Sequence, residues 1–220
     1  MRGEAADHRG ESTIFQRYDG LVICSSNPGK IAEIRALLPA GMRVLSLNEA
    51  QVEVDLPETG STLEDNALQK ARAAHRICGL PCLADDSGLE VDALDGAPGV
   101  LSARFAGSQR DDRANIELLL ARMADIHERG ARFRTILALV DGGQEHVFEG
   151  FVTGRIGEAP KGEGGFGYDA VFIPSGHERT FAEMNIGEKN NISHRRIAIA
   201  SLLHFLASSG WTDDHSDHSR

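Results

Sequence analysis

Two adjacent carboxylates, those of Asp85 and Asp86, follow the short apolar segment at residues 81–84. That segment has the composition of a brief buried strand, so the sequence places both acids at a strand end. Burying such groups is costly unless a cation or hydrogen-bond donors compensate their charge. Consecutive side chains of a strand point to opposite faces, so only one of the pair needs to face a pocket. We assign Asp86 to that face.

Glu58 offers a further carboxylate in a polar turn that precedes a predicted helix. Mg2+ is typically held by one or two carboxylates, with waters and substrate phosphate oxygens completing its shell. Glu58 and Asp86 would therefore suffice as protein ligands for Mg2+. The alternative is that these acids merely cap turns, and residue types alone leave both interpretations open.

Basic side chains gather around a second segment, where Lys189, His194 and Arg195 lie just before and within a predicted helix start. Positive charge is unfavourable at the positive end of a helix dipole, so this placement favours an anionic partner. A solvated basic turn is the alternative. Lys30 and Lys70 are surface residues by default, and we expect Lys30 and Lys189 to be exposed at a cleft. Together with the acids, these cations indicate an anion site.

A glycine-rich segment at residues 162–167 matches the pattern GxGxxG. A dinucleotide-binding fingerprint must open a helix, whereas residues 168–173 are predicted to form a strand, so NAD binding is rejected. The segment still allows a ligand to approach the backbone, and Phe166 or Tyr168 could stack on a planar base. A plain turn with core aromatics is the alternative.

The full sequence lacks a P-loop pattern GxxxxGK[ST], a GxSxG nucleophile motif and an HExxH zinc motif. Phosphoryl transfer on a P-loop, acyl transfer and zinc hydrolysis are therefore excluded as functions. Metal-assisted hydrolysis of a phosphorylated small molecule remains.

The elements that must position these groups begin with an apolar strand at residues 21–24, which runs into a polar turn at residues 25–30. Asn27 is the predicted N-cap of the helix that follows, and Pro28 is its first residue. The free N–H groups of that helix start would attract an anion.

The remaining pattern alternates between strands and helices, which predicts an α/β fold with a mixed, twisted sheet and helices on its faces. A capping box at Ser61 and Glu64 predicts a helix from about residue 62 to residue 78. The other predicted elements are strands at residues 43–47 and 89–94, a helix capped by Asp111 or Asp112, a hairpin at residues 133–140 and 144–152, and a last helix from about Ser193.

The chain has 220 residues, of which 41% are hydrophobic and 25% charged, as in an ordinary folded protein. We predict a single domain over residues 20–210, with flexible polar ends at residues 1–19 and 211–220. The formal net charge of −10 disfavours binding to DNA or RNA, although it leaves a small anion open as a ligand.

The three cysteines, Cys24, Cys78 and Cys82, are sparse and odd in number and lack CxxC spacing. They favour reduced thiols in a cytoplasmic protein over a disulfide framework or a zinc cluster. No apolar stretch of 18 residues and no signal-like start are present, so we expect no membrane partner.

Six motifs in order, spanning about residues 21–206, resemble the inosine triphosphate pyrophosphatase family, also called dITP/XTP pyrophosphatases. Any one of them is weak, but their combination and order are specific. The motifs are residues 25–30 followed by Glu33, residues 56–60, residues 84–88 continuing to residues 96–99, residues 165–169, residues 180–184 and residues 193–195.

The resemblance implies a Mg2+-dependent enzyme that hydrolyses non-standard purine nucleoside triphosphates (dITP, ITP, XTP) to the monophosphate and pyrophosphate. It also implies a homodimer and an elongated α/β fold with two lobes around a central cleft. Carried onto this sequence, Glu58 and Asp86 would hold Mg2+, and Asp86 would be the proton acceptor. The implied substrate-binding residues are Ser25, Ser26, Asn27, Pro28, Gly29, Lys30, Lys70, Ser87, Phe166, Gly167, Tyr168, Asp169, Lys189, His194 and Arg195.

One departure from the family pattern lies in the phosphate turn, where Ser26 replaces an expected glycine. Serine has less freedom at positive φ, so the backbone contact at that residue depends on the local conformation. Two other functions stay open at this point. One is a nucleotide pyrophosphatase with a different base preference, and the other is a non-catalytic nucleotide-binding module.

Overall fold

The computed structural model describes residues 20–208, so the predicted flexible ends at residues 1–19 and 211–220 lie outside the described residues. In this described part of the chain, six strands form one mixed sheet in the order β2-β1-β3-β4-β5-β6. The strands are β1 (Leu21–Cys24), β2 (Val44–Ser46), β3 (Cys82–Val91), β4 (Gly130–Asp141), β5 (Gln144–Ile156) and β6 (Phe172–Pro174). The predicted α/β class, a mixed sheet with flanking helices, is confirmed.

The sheet changes character at β3. Its parallel part comprises β2, β1 and the first residues of β3, whereas β3, β4, β5 and β6 pair antiparallel. The hairpin of β4 and β5 turns at Gly142 and Gly143, which have φ values of 50° and 86°. A left-handed conformation at both central residues suits glycine and matches the twist of the strands. The antiparallel pairing of β4 with β5 confirms the predicted hairpin.

The predicted strand end at the paired carboxylates is wrong. Asp85 and Asp86 lie inside β3, which is continuous for ten residues because β4 pairs with it along its whole length. The neighbour on the other side, β1, ends at Cys24 opposite Ala84. The two acids therefore sit where β3 loses its parallel neighbour, and a cleft can open beside them.

Within residues 20–208, five α-helices flank the sheet, and short 3-10 helices fill several connections. The α-helices are α1 (Pro28–Leu37), α2 (Leu63–Cys78), α3 (Asp112–Arg122), α4 (Ile186–Ile192) and α5 (His194–Ser208). The 3-10 helices are Asp92–Leu94, Gly99–Arg104, Gly167–Ala170 and Phe181–Glu183. No helix within residues 20–208 combines the length and the apolar character needed to cross a membrane.

Local capping explains several helix starts. The Asn27 side chain accepts a hydrogen bond from the Lys30 backbone N–H, as predicted for α1. At α2 the capping box predicted at Ser61 and Glu64 is wrong, because Thr62 is the N-cap and accepts from the Asp65 N–H. Either hydroxyl satisfies an orphan donor of the first turn, and the sequence pattern cannot distinguish the two registers.

Two more sequence predictions need correction. The strand predicted from Tyr168 is wrong, because residues Gly167–Ala170 form a 3-10 helix and β6 begins only at Phe172. The predicted strand at residues 89–94 is the end of β3 followed by the 3-10 helix Asp92–Leu94. The last helix begins at His194, close to the predicted Ser193, and the short α4 precedes it.

The core formed by the described residues is divided into three apolar clusters. Alternate residues of β1 face opposite sides, so Val22 packs with α2 on one face and Ile23 packs with α1 and α5 on the other. The third cluster lies towards the far part of the hairpin, where Leu119 of α3 packs with Phe133 and Phe172. Side chains of the first and third clusters line the cleft that lies between them.

Candidate active site

The cleft has a volume of about 470 Å³, which is within the range of small-molecule sites. Every site residue predicted from the sequence lines it except Pro28 and Gly29. A Cβ at Gly29 would collide with the ring of Phe166, so glycine here lets that ring approach the start of α1. Pro28 forms the first turn of the same helix. Both residues shape the cleft wall without facing the cleft.

A cleft carboxylate site is formed by Glu58, Lys70 and Asp86. The Lys70 ammonium lies 2.9 Å from Glu58 Oε1 and 2.8 Å from Asp86 Oδ1, and it also donates to the Asp85 carbonyl oxygen. Asn66 Nδ2 donates to Asp86 Oδ2 at 3.4 Å. The expectation that Lys70 is a surface residue is therefore wrong. The helix α2 buries it so that it joins two acids from different segments.

The charge states of this site are set by competition between burial and neighbours. Burial lowers the pKa of Lys70, but the charges of Asp86 and Glu58 outweigh burial and leave that pKa raised. Burial raises the pKa of Glu58, but the charges of Lys70 and Arg110 leave it lowered. Lys70 is therefore a cation beside an ionised Glu58.

The residues fit a divalent ion held by few protein ligands. Glu58 and Asp86 reach one common point, the Lys70 ammonium, so both can reach one ion placed near it. No cluster of three or more His, Cys, Asp or Glu side chains suited to a metal occurs within residues 20–208. Waters and substrate oxygens would have to complete the shell, which is the usual arrangement for Mg2+.

Asp85 has the opposite surroundings, since it is fully buried. Its carboxylate contacts the Lys30 ammonium at 2.6 Å and Arg195 Nε at 2.8 Å, and it accepts hydrogen bonds from Ser87 and Thr135. Burial alone would raise the pKa of Asp85, but Arg195 and Lys30 hold it well below its usual value. Asp85 is therefore an ionised group that orders the floor of the cleft.

A buried ion-pair chain continues from Asp85 through Arg195, Glu33, Lys189 and Asp169. Arg195 Nη1 lies 2.6 Å from Glu33 Oε2, and Lys189 Nζ lies 2.6 Å from Glu33 Oε1 and 2.5 Å from Asp169 Oδ2. All five side chains are buried. The expectation that Lys189 is exposed is wrong, because protein carboxylates meet its charge and that of Arg195.

The buried ion-pair chain ends at the loop that carries Phe166. Asp169 Oδ2 accepts from the Phe166 backbone N–H at 2.9 Å as well as from Lys189. Burial raises the pKa of Asp169 despite the nearby Lys189 charge. The ammonium of Lys189 lies 4.9 Å from the centre of the Phe166 ring, and the Arg195 guanidinium lies 5.4 Å from it. These contacts fix the orientation of an aromatic face at the cleft.

The two aromatic candidates for base stacking have different roles. Phe166 is half-buried and lines the cleft. Tyr168 is buried, and its hydroxyl donates to the Ser102 carbonyl oxygen at 3.0 Å. Burial raises the pKa of Tyr168, so the phenol stays neutral. Phe166 is therefore the ring that can stack on a base, and Tyr168 supports the wall behind it.

His194 lies beside this wall, with its ring stacked on Phe133 at a centroid distance of 5.0 Å and an interplanar angle of 12°. Burial, together with the charges of Arg195 and Lys189, holds the pKa of His194 well below its usual value. The ring is therefore neutral. Within the described part of the chain, its Nδ1 atom is buried and has no hydrogen-bond partner. A ligand that reached this atom would satisfy it.

The start of α1 forms the other wall. Ser25 Oγ accepts from the Asn27 N–H at 3.2 Å, which orders the turn before the helix. Ser26 is not among the positive-φ residues of the described chain, so serine replaces glycine there without backbone strain. The side chains of Ser25, Ser26 and Asn27 line the cleft together with Lys30. This helix start can therefore offer N–H groups to an anion.

Sequence reasoning missed three side chains that organise the site. Glu33, beside the core residue Ile34, is buried in α1 and joins Arg195 to Lys189. Thr135 is buried opposite Ser87 on β4 and donates to Asp85. Arg110 reaches Glu58 from the far wall. The first motif contains Glu33 but gave it no role, whereas Thr135 and Arg110 belong to no motif.

Comparison with known proteins identifies the family. Residues 21–205 match the model of the Ham1 family. The dITP/XTP pyrophosphatase of Porphyromonas gingivalis is 49% identical over 187 residues, which cover 84% of this chain and 96% of that protein. The dITP/XTP pyrophosphatase of Mycobacterium bovis is 49% identical over 194 residues, which cover 86% and 95%.

A solved structure agrees with these sequence matches. The Ham1 protein of Staphylococcus aureus is 40% identical and superimposes with a TM-score of 0.78, covering 86% of this chain and 99% of that one. The resemblance predicted from the motifs is confirmed, and the chain belongs to the Ham1 family.

Proposed function

We propose that this protein hydrolyses non-standard purine nucleoside triphosphates (dITP, ITP and XTP) to the nucleoside monophosphate and pyrophosphate, and thereby cleanses the nucleotide pool. The observation that carries the proposal is the meeting of three features in one cleft. These are the helix start at Asn27, the carboxylates of Glu58 and Asp86, and the ring of Phe166. Relatives that are 49% identical over most of this chain are dITP/XTP pyrophosphatases.

The proposed reaction is attack of water on the α-phosphorus. Asp86 accepts a proton from that water, the new bond joins its oxygen to the α-phosphorus, and the bond from this phosphorus to the α,β-bridging oxygen breaks. Pyrophosphate leaves with that oxygen. Lys70 and Asn66 hold the Asp86 carboxylate in place through their hydrogen bonds.

We further propose Mg2+ as the cofactor, with Glu58 and Asp86 as its protein ligands. When bound, the ion would neutralise charge on the phosphate oxygens. A carboxylate that binds a metal is a weaker base, so a second carboxylate would share proton acceptance with Asp86. The charges of Lys30 and the start of α1 support the opposite side of the triphosphate.

Base selection is assigned to the wall formed by Phe166, His194 and Arg195. Phe166 offers a stacking face, and the neutral His194 and charged Arg195 offer hydrogen-bond donors to a 6-oxo group. A 6-amino group presents donors where an oxygen is needed, so it would leave these groups unpaired. Adenine nucleotides would therefore be poor substrates.

The test is to measure pyrophosphate release from dITP, XTP, dGTP, dATP and dTTP, with Mg2+ and with a chelator. We expect fast release from dITP and XTP and loss of release without the metal. Equal rates on dGTP would contradict selection for non-standard purines. Binding of dITP without release of pyrophosphate would show a nucleotide-binding module instead of an enzyme. Undiminished release in the chelator would contradict the Mg2+ assignment.

We also propose a cytoplasmic homodimer. Val147 and Phe151 project from the same face of β5 with 38% and 49% of their surface exposed, which supports an apolar contact with a second copy. The free thiols of Cys24, Cys78 and Cys82 support a reducing compartment. Light scattering of the purified protein should give a mass of two chains. Phe151→Asp should reduce the measured mass to that of one chain. A monomeric mass for the unaltered chain would contradict the homodimer.

A further inference from the structure

The positively charged side chains assigned to substrate binding are already paired with protein acids. Each has at most 16% of its side chain exposed, and each is paired with at least one carboxylate. They are Lys30, Lys70, Lys189 and Arg195. The carboxylates that face them are Glu33, Glu58, Asp85, Asp86 and Asp169. Negative groups therefore outnumber positive groups by one in this set.

A nucleoside triphosphate adds several negative charges to this cleft. A divalent ion would offset only part of them, so a further cation with freedom to move is needed near the phosphates. Such a cation must line the cleft, be accessible and exchange its present partner.

Arg110 meets these conditions. It lies between the 3-10 helix Gly99–Arg104 and α3, lines the cleft and has 54% of its side chain exposed. Its Nη2 atom donates to Glu58 Oε2 at 2.7 Å. It therefore reaches across from the α3 wall to the segment that precedes α2. Its φ of 53° is a conformation that L-residues other than asparagine and aspartate rarely adopt.

We propose that Arg110 is a further substrate-binding residue. Its guanidinium pairs with Glu58 when no nucleotide is bound, and it moves to pair with the triphosphate when a divalent ion binds Glu58. The inference rests on the proposed function of the cleft. It adds a phosphate contact from the α3 wall, opposite the start of α1.

The geometry at Glu58 explains the exchange. Lys70 uses Oε1 of this carboxylate, and Arg110 uses Oε2. A divalent ion bound by Glu58 competes with the Arg110 guanidinium for negative charge and repels it. The guanidinium fork matches two phosphate oxygens as well as it matches a carboxylate, so Arg110 stays paired in both states.

The test compares Arg110→Ala and Arg110→Lys with the control Arg113→Ala. Arg113 is close in sequence, has 88% of its side chain exposed and pairs with Glu117 on the outside of α3. Two quantities are measured for each variant: the KM for dITP with Mg2+, and the Kd for Mg2+ alone by titration calorimetry. Thermal unfolding checks the fold.

We expect Arg110→Ala to raise the KM for dITP about tenfold, because one charge-assisted contact to phosphate is lost. The same variant should bind Mg2+ alone about threefold more tightly or better, because Arg110 no longer competes with the ion for Glu58. Arg110→Lys should recover part of the KM, and Arg113→Ala should match the parent protein in both quantities.

Two results would overturn the inference. An unchanged KM in Arg110→Ala would show that Arg110 does not bind the substrate, and weaker binding of both dITP and Mg2+ would show a structural role. Failure of the parent protein to release pyrophosphate from dITP would remove the proposed function itself. An active parent with a normal Arg110→Ala variant would remove only the role of Arg110.

Discussion

The cleft carboxylate site and the buried ion-pair chain use the same residue types in different ways. They meet at consecutive residues of β3, since Asp86 faces Lys70 in the cleft and Asp85 faces Arg195 in the interior. Glu58 and Asp86 keep access to the cleft, so their cationic partners can be exchanged. The carboxylates of the buried ion-pair chain instead have buried lysine or arginine partners. A charge therefore does chemistry where its partner can change and supports the fold where it cannot.

The largest expected effect is on turnover in Asp86→Asn. The amide cannot accept the proton from water, so we expect the rate of pyrophosphate release from dITP to fall about 10³-fold. Stability should change little, because the amide oxygen still accepts from Lys70, which keeps Glu58 as a charged partner. The assay is pyrophosphate release at saturating dITP, with Asp125→Asn on the surface as the matched control. Near-normal turnover would remove the assigned role of Asp86.

The same change one residue earlier should act on stability. Asp85→Asn removes the charge between Lys30 and Arg195 in a fully buried position, and breaking such a pair typically costs about 3 kcal/mol or more. Urea unfolding of both variants beside the parent measures the difference. If Asp85→Asn proved as stable as Asp86→Asn, the division between the two regions would be wrong.

Lys189→Ala should lower the free energy of unfolding more than Lys30→Ala does. Lys189→Ala leaves Glu33 and Asp169 without the ammonium that joins them, so we expect a loss of about 3 kcal/mol in the free energy of unfolding. Lys30→Ala should cost less, because burial lowers the pKa of Lys30 and Asp85 retains Arg195. Both should raise the KM for dITP. Equal unfolding midpoints for the two variants would count against this ranking.

Acid should weaken the ion-pair chain. The pKa of Asp85 in the folded protein is well below its usual value of 3.8, because Arg195 and Lys30 outweigh the effect of burial. A carboxyl with a depressed folded pKa contributes stability above its unfolded pKa, and that contribution is lost as the pH falls towards the folded value. The unfolding free energy should therefore decline below pH 3.8. Asp85→Asn should show a shallower decline in urea titrations, and parallel declines would contradict this.

The smallest expected effect concerns a residue that shapes the cleft without lining it. Gly29→Ala places a Cβ against the Phe166 ring, which can shift because it is half-buried at the cleft. Alanine also favours a helix, so stability should stay within about 1 kcal/mol of the parent. Loss of the ring position should raise the KM for dITP about fivefold, equivalent to about 1 kcal/mol. Gly41→Ala, where a Cβ meets no neighbour, is the control.

Local patterns in the sequence determined most of the elements. The apolar run of β1 followed by Asn27 and Pro28 identified the first strand and helix, and the glycine pair after Asp141 identified the hairpin. These signals depend on neighbours within a few residues of the chain, which is why they can be read without a structure. The order of the motifs also identified the family, and all of the site residues that it implied line the cleft except Pro28 and Gly29.

Only the tertiary structure decided how long β3 is and what each charge faces. β4 extends β3 through Asp85 and Asp86, a pairing between segments about 50 residues apart that no local pattern encodes. Partners 156 and 162 residues away in sequence, Lys189 and Arg195, bury the charge of Glu33. Burial and ion pairing depend on which segments meet in space. The sequence alone therefore identified the charged residues, and only the tertiary structure decided which of them lie in the cleft and which in the interior.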